Sequence, residues 1–167
     1  MKKNIFLVVF CFVSFGVFAQ SPLEKGGVQL NAGIGTSNWG TPVYLGVDYG
    51  ACKDITVGGE LSYRSQSNYY GQNKYSSSVV GVGVNGNYHF NRIFDLPSQW
   101  NIYAGLSINY YAWSYENDLY KSNNDSNIGL GAQVGARCFF TKKFGVNLEL
   151  GGGSATNGGK IGITYKL

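Results

Sequence analysis

The sequence has few charged side chains for its length. Of its 167 residues, 13 are Lys or Arg and nine are Asp or Glu, which is 13% of the chain. A soluble domain usually carries about 25–35% charged side chains on its surface. Long helices exposed to water are therefore excluded. Disorder is excluded as well, because disordered segments lack aromatic residues, which make up 16% of this chain. The length suits a single domain.

Histidine and cysteine are also scarce. The chain has one histidine, His89, and three cysteines, of which Cys52 and Cys138 lie outside the N-terminal segment. Neither cysteine has a histidine at metal-ligand or catalytic spacing, so we interpret both as unpaired thiols that fill small apolar spaces. No nucleophile stands beside His89 at the spacing that catalysis would need. The sequence thus predicts no catalytic site, no metal and no cofactor.

The N-terminus has the pattern of a secretory signal peptide. A basic start at residues 1–3 precedes a nearly unbroken apolar run over 5–18, and Val17-Phe18-Ala19 suits a cleavage before Gln20. The apolar run is shorter than the roughly 20 residues that a spanning helix needs. We therefore expect residues 1–19 to be an export signal and residues 20–167 to form one domain. Cleavage would leave 11 basic and nine acidic residues, a net charge of +2, which argues against a nucleic-acid partner.

The rest of the chain alternates apolar and polar residues with period two. This spacing places the apolar residues on one face of an extended strand. The runs are about ten residues long, which matches the roughly 9–11 residues of a tilted strand that crosses a bilayer. The alternation predicts eight strands, at residues 28–35, 43–50, 55–64, 80–90, 100–110, 128–140, 144–150 and 161–167.

The connections between these strands alternate in length. Those after the odd strands are long, whereas Cys52-Lys53-Asp54 and Thr141-Lys142-Lys143 are short and only 91–98 is longer. Long loops outside and short turns in the periplasm are typical of an outer-membrane barrel with both termini in the periplasm. The sequence predicts an all-β fold, an eight-stranded antiparallel up-and-down transmembrane β-barrel. The predicted long loops are residues 36–42, 65–76, 115–124 and 152–159.

Alternation alone also fits a soluble eight-stranded barrel that binds a small apolar ligand. The polar face favours the membrane interpretation, because it holds mainly Gly, Asn, Gln and Ser with few charges. The apolar face carries aromatic residues at the ends that should meet the periplasmic interface, as an interfacial girdle would. The predicted girdle is Tyr49, Tyr88, Phe90, Trp100, Phe140, Phe144 and Tyr165.

The pattern over residues 26–167 resembles the small eight-stranded outer-membrane β-barrel proteins of Gram-negative bacteria, similar to the OmpA transmembrane domain and OmpX. The last strand is the most specific element: Lys160, Gly162, Tyr165 and Leu167 are similar to the C-terminal signal read by the barrel assembly machinery, although a terminal Phe is commoner than Leu. The resemblance implies export, periplasmic transit and insertion by that machinery. It also raises the possibility of a lipid-modifying barrel enzyme, but the Ser two residues after His in barrel lipid A deacylases is absent beside His89.

An eight-stranded barrel has an interior that side chains can fill, so we expect a plugged lumen. Unpaired charges in such a lumen are costly. Because both acidic and basic residues occupy the alternate positions that face the lumen, we predict that they form ion pairs that hold the barrel together. A gated ion path, and with it a narrow outer-membrane channel, is the alternative. The predicted luminal network is Asp48, Glu60, Arg64, His89, Arg137, Glu149, Lys160 and Lys166.

The predicted loops combine tyrosine with small amides and serine. This composition suits binding to an extracellular protein or glycan, because it offers rigid area and adaptable hydrogen bonds. A calcium site at Glu116, Asp118 and Asp125 lacks the spacing of an EF-hand loop. We interpret the chain as a monomeric, non-enzymatic outer-membrane protein with a structural or adhesion-like surface role. The binding candidates are Tyr69, Tyr70, Tyr75, Tyr115 and Tyr120.

Overall fold

The computed structural model describes residues 23–38, 40–70, 73–115, 127–155 and 157–167, without the side chains of 66–70, 73–76 and 115. The described residues form eight β-strands. In chain order they are β1 (Val28–Ser37), β2 (Val43–Cys52), β3 (Ile55–Tyr70), β4 (Asn73–His89), β5 (Trp100–Tyr115), β6 (Asn127–Phe139), β7 (Phe144–Gly153) and β8 (Asn157–Lys166). Among the described residues, no helix is long and apolar enough to span a membrane.

Each strand pairs antiparallel with its neighbours in the chain, and β8 pairs with β1 to close the sheet. The closing register aligns Ala32 with Ile163. Closure gives each of the eight described strands two partners, so none of them presents a free sheet edge. The predicted eight-stranded antiparallel up-and-down barrel is confirmed. Six strands begin within one residue of the predicted positions, because the period-two alternation marks where pairing starts, whereas β4 and β8 begin earlier than predicted.

The two faces of the sheet differ sharply in exposure. Leu106, on the outer face, is 71% exposed, whereas Thr164 and Gln29, on the inner face, are at most 1% exposed. Large apolar side chains therefore cover the outside, and polar side chains fill the inside. This arrangement is the reverse of a soluble domain and suits a barrel surrounded by lipid.

The hairpin of β3 and β4 is longer than predicted. Residues 65–76 were expected to form a loop, but Ser65 pairs with Ser78 and the pairing continues to Tyr70 with Asn73. That prediction was wrong because polar residues occupy both faces of this stretch and no apolar period marks it as strand. The other three predicted loops, 36–42, 115–124 and 152–159, are also shorter than predicted, because strands extend into them. The strand ends that do so are Ser37 of β1, Tyr115 of β5, Gly153 of β7 and Asn157 of β8.

We call the end of the barrel that holds residues 53–54, 90–99 and 140–143 the turn end, and the opposite end the loop end. The connection between β4 and β5 is folded back on itself. Ile93 and Phe94 donate backbone hydrogen bonds to the carbonyl of Phe90, and Arg92 forms an ion pair with Asp54 of the neighbouring turn. Short, internally bonded turns at one end are typical of the periplasmic end of an outer-membrane barrel.

Aromatic side chains inside the barrel lie against glycines of adjacent strands. Tyr103 of β5 stands opposite Gly135 of β6, and a Cβ atom added to Gly135 would overlap the tyrosine ring. Gly162 of β8 is confined in the same way by the hydroxyl of Tyr44 and by the backbone of β1. Glycine at these positions gives a large ring room to lie along the wall, which explains part of the high glycine content.

The assignment of faces can be tested with one residue from each side of β5. Leu106→Arg places a charge on the lipid-facing side near mid-strand, and we expect it to disfavour folding into a bilayer by about 2–4 kcal/mol. Asn109→Ser on the inner face should cost much less. Denaturant titration of the barrel in phospholipid vesicles measures both. Similar losses for the two variants would contradict the assigned faces.

Candidate functional site in the barrel lumen

The lumen near the turn end is filled by a hydrogen-bonded cluster around Asp48, which we call the floor. Arg137 Nη2 donates to Asp48 Oδ2 at 2.6 Å, and Asn31 Nδ2 donates to the same oxygen at 2.9 Å. Thr164 Oγ1 donates to Asn31 Oδ1 at 2.9 Å, which ties β8 to β1. The guanidinium of Arg137 also lies 4.4 Å from the centre of the Tyr103 ring. These side chains come from five strands, so the floor bridges the barrel across its interior.

His89 belongs to the same end of the lumen. Its Nε2 lies 3.0 Å from Thr56 Oγ1, and its Nδ1 lies 3.1 Å from Asn101 Oδ1. Asn101 Nδ2 lies 2.8 Å from Asn91 Oδ1, so the chain of contacts continues into the β4–β5 turn. His89 is 1% exposed. Its two ring nitrogens are thus occupied by neighbouring side chains, and the arrangement positions strands.

A second charged group, centred on Lys160, lies nearer mid-barrel. Lys160 Nζ is 2.7 Å from Glu60 Oε2 and 2.7 Å from Glu149 Oε1. The hydroxyl of Tyr103 donates to the other oxygen of Glu149 at 2.8 Å, which links this group to the floor. The side chains of Lys160 and Glu60 keep about a quarter of their surface exposed. One ammonium group therefore joins two strands on opposite parts of the wall.

The remaining two predicted network residues lie at the two ends. Arg64 Nη1 donates to Ser37 Oγ at 2.9 Å, and its guanidinium carbon lies 5.3 Å from the Tyr111 ring centre. Lys166 Nζ lies 4.1 Å from the Phe139 ring centre, near the turn end. Both bases therefore contact aromatic rings as well as other groups. Burying a cation against a ring offsets part of its desolvation cost.

Above the Lys160 group the lumen contains a cavity of about 120 Å³. Glycines of β4, β6, β7 and β8 form much of its wall, together with small polar side chains such as Ser62 and Asn109. A cavity of this size has room for several water molecules beside its polar side chains. The described lumen is therefore more densely filled by side chains at the turn end and roomier toward the loop end.

The predicted girdle residues lie at the turn end. Tyr49, Trp100, Phe144 and Tyr165 sit on the outer face, within strands, and are exposed. Phe90 and Phe140 follow directly after β4 and β6. Phe90 packs edge-on against Tyr88 at 5.1 Å and stacks with Phe94 at 5.9 Å between ring centres. The rings thus lie where the outer surface meets the turns.

The last strand carries the residues that resemble an assembly signal. Lys160 and Gly162 face the lumen, Tyr165 faces outward, and the amide of Leu167 donates to the carbonyl of Val28 at 3.0 Å. The predicted signal peptide, residues 1–19, lies outside the described residues, and so does Tyr120. So do the side chains of Tyr69, Tyr70, Tyr75 and Tyr115, whose backbone lies in strands.

Sequence reasoning missed most of the neutral part of the floor. It assigned polar residues to the inner face but named only ionisable groups as a network, whereas amides and hydroxyls make most of the contacts. The signal that could have identified these amides and hydroxyls is their position: they occupy the alternate, lumen-facing positions of each strand near the turn end. The buried neutral polar residues are Gln29, Asn31, Thr56, Asn87, Asn91, Asn101, Gln133, Asn147 and Thr164.

Neither a metal site nor a disulfide is formed by the described residues. No group of three or more His, Cys, Asp or Glu side chains among them is placed to hold a metal ion. Cys52 and Cys138 are free thiols in the structure.

The sequence matches a known protein family. The family model described as "Outer membrane protein beta-barrel domain" matches residues 5–165, nearly the whole chain. The chain belongs to the outer-membrane β-barrel protein family. Its outward apolar face is accordingly the lipid-facing face, and the protein resides in the bacterial outer membrane. None of the curated proteins matches this sequence.

Solved structures of other small barrels show the same fold. The outer membrane protein OprG of Pseudomonas aeruginosa aligns with a TM-score of 0.66 at 12% identity, over 91% of this chain and 99% of OprG. The N-terminal barrel of OprF from the same organism gives 0.59 at 13% identity, over 86% and 98%. Ail of Yersinia pestis, solved with the heparin analogue sucrose octasulfate, gives 0.55 at 12% identity, over 84% and 97%. At sequence identities this low, the structural similarity establishes a shared fold.

Two carboxylates in the lumen should differ in what they contribute to stability. Asp48→Asn leaves the buried Arg137 without its anionic partner, and we expect a loss of about 3–5 kcal/mol. Glu60→Gln should cost about 1 kcal/mol or less, because Lys160 keeps Glu149 and the group is partly exposed. Urea unfolding in vesicles, followed by the shift of the folded band on gels, measures both. A larger loss for Glu60→Gln would contradict this ranking.

Proposed function

We propose that this protein is a non-enzymatic structural barrel with a closed lumen that presents an elongated hairpin for contacts outside the cell. The observation that carries the closed lumen is the floor, in which the Asp48–Arg137 pair and its amide neighbours occupy the interior near the turn end. Both side chains of that pair are about 95% buried. Buried polar side chains that bridge opposite walls support a lumen that is closed at that level.

The absence of an enzymatic role is supported by the surroundings of His89. Its ring nitrogens contact Thr56 and Asn101, and the ring lies 5.7 Å from that of Tyr103. A general base would need a nucleophile and room for a substrate beside it. The structure instead surrounds His89 with side chains of the floor, so we assign it a positioning role.

The surface role is supported by the hairpin of β3 and β4. These strands have 16 and 17 residues, against ten for β1, β2, β7 and β8. A transmembrane strand needs only about 9–11 residues, so the surplus extends the hairpin beyond the membrane at the loop end. Its tip sequence carries Tyr69, Tyr70 and Tyr75 among Ser, Asn and Gln. Ail, a barrel of the same fold, was solved with a sulfated sugar, which makes glycans reasonable first ligands to test.

A narrow channel is the second candidate, and the cavity at the loop end favours it. Lys160 sits at the base of that cavity between Glu60 and Glu149, and a shift of its ammonium group would widen the lumen there. Ions would still have to pass the floor. The closed lumen is therefore the better-supported proposal.

Biogenesis follows from the same proposal. Outer-membrane lipid surrounds the barrel as its main partner, and the C-terminal residues Lys160, Gly162, Tyr165 and Leu167 would be read by the barrel assembly machinery after Sec-dependent export. Tyr165 and Leu167 are exposed on the outer side of the last strand, which makes their side chains accessible from outside the barrel. We propose a monomer, since closure of the sheet completes all strand pairing within one chain.

Conductance tests the closed lumen. In planar bilayers we expect the mature chain to produce no steady pore. The double variant Asp48→Ser and Arg137→Ser removes both members of the buried pair, avoids a lone charge and should open the floor to ions. Glu60→Gln is the control, because it leaves the floor intact and should remain closed. A large, steady pore in the unaltered protein would refute a closed lumen.

Shortening the hairpin tests the surface role. Ser67 pairs with Ser76, so residues 68–75 can be replaced by Asn-Gly, a two-residue turn that preserves strand register. We expect normal heat-modifiable migration but loss of attachment by cells that display the barrel, scored on glycan and matrix-protein arrays. Replacing Tyr69, Tyr70 and Tyr75 by Ser at full length separates side chains from hairpin length. Attachment that survives both changes would exclude this hairpin as the binding surface.

A further inference from the structure

Charge is distributed unevenly between the two ends of the barrel. The exposed basic residues of the described turn end outnumber the exposed acidic ones by five to two: Lys25, Lys53, Arg92, Lys142 and Lys143 against Glu24 and Asp95. The start of β4 and the sequence between β5 and β6 hold the opposite balance, with Lys74 and Lys121 against Glu116, Asp118 and Asp125. The turn end therefore offers a positive rim, separate from the luminal network.

The β6–β7 turn concentrates this charge in one place. Lys142 and Lys143 are adjacent and exposed, and the turn that carries them is internally bonded. Thr141 Oγ1 accepts hydrogen bonds from the amides of Lys143 at 3.2 Å and Phe144 at 2.9 Å. The carbonyl of Lys143 accepts from the amide of Lys166 at 2.8 Å, which fixes the turn to β8. Two cationic side chains are thus held at a defined height beside the barrel wall.

Exposed aromatic rings flank these lysines on the lipid side. Phe140 precedes the turn, Phe144 follows it, and Tyr165 stands opposite Phe144 on β8. All three rings are between 39% and 46% exposed. Lys143 Nζ lies 5.9 Å from the Tyr165 ring centre. Rings of this kind sit at the boundary of a bilayer, and lysines beside them reach toward the headgroups.

The two lysines also differ from the other strong base at this end. Arg92 is already paired with Asp54, whereas no carboxylate of the described residues lies within 4 Å of Lys142 or Lys143 Nζ. Their charge is available to an external anion. Because the patch is continuous with the lipid-facing surface, the anion that reaches it is a lipid headgroup.

We propose that Lys142 and Lys143, framed by Phe140, Phe144 and Tyr165, form a binding site for the headgroup of an anionic phospholipid in the periplasmic leaflet of the outer membrane. The ammonium groups would contact the phosphate, and the rings would pack along the upper acyl chains. Such a site would set the height of the barrel in the membrane and favour anionic lipids around β6, β7 and β8.

Trp100 provides a local reporter for this test. It is exposed on the outer face of β5, opposite Cys138 of β6, one strand from the patch. In a chain with Trp39→Phe and Trp113→Phe, quenching of Trp100 by brominated phosphatidylglycerol or brominated phosphatidylcholine gives the relative binding constant of the two lipids. We expect a several-fold preference for phosphatidylglycerol at low salt, about fivefold for one lysine at an anionic surface. The preference should fall toward one at 0.5 M NaCl.

Charge-matched variants locate the preference. Lys142→Gln with Lys143→Gln should bring the ratio close to one, whereas Lys74→Gln with Lys121→Gln, at the loop end, should leave it unchanged. Equal binding constants for the two lipids in the parent chain would overturn the proposal. So would a preference that survives the Lys142 and Lys143 substitutions, or one that the Lys74 and Lys121 substitutions abolish equally. The reporter chain can be replaced if it fails to show heat-modifiable migration on gels. Native mass spectrometry of the unaltered protein and of the two double-lysine variants then measures the same selectivity, as the amount of phosphatidylglycerol that each protein retains.

Discussion

Hydrogen bonding of the backbone in a medium without water is the constraint on which this structure depends. Each unsatisfied amide or carbonyl in the hydrocarbon region costs several kcal/mol, so a sheet is stable there only if it closes. Pairing of β8 with β1 completes that closure. Once the sheet is closed, its two faces have different solvents, lipid outside and polar side chains inside. The exposed Leu106 and the buried Thr164 are consequences of the same closure.

The interior then has to satisfy its own polar groups. A barrel of eight strands is narrow enough for side chains to meet across it, and the floor does so through Asp48, Arg137 and their amide neighbours. The large aromatic residues fit only because glycines such as Gly135 and Gly162 leave room on the adjacent strand. Glycine, amides and a few paired charges therefore serve one purpose, which is to fill the interior with polar side chains that bond to one another.

Packing differs along the barrel axis, and this difference gives the two ends different roles. The turn end is filled by buried side chains and bordered by rings and basic residues. Toward the loop end the wall is rich in glycine, the lumen widens into a cavity, and the β3–β4 hairpin extends past the length that a bilayer requires. A densely bonded base and a longer outer hairpin are compatible with the proposed surface role.

The sequence by itself determined the strand count, the antiparallel order and the faces, because a period of two and a length of about ten residues have few other physical explanations. It also indicated which ionisable groups share the lumen, since parity along each strand decides the side on which a residue lies. It did not reveal that residues 65–76 continue as strand, because polar side chains on both faces carry no periodic signal. The tertiary structure alone decided which inward residues meet: the contact of Lys160 with both Glu60 and Glu149, or of His89 with Thr56 and Asn101, depends on the tilt and stagger with which the sheet closes.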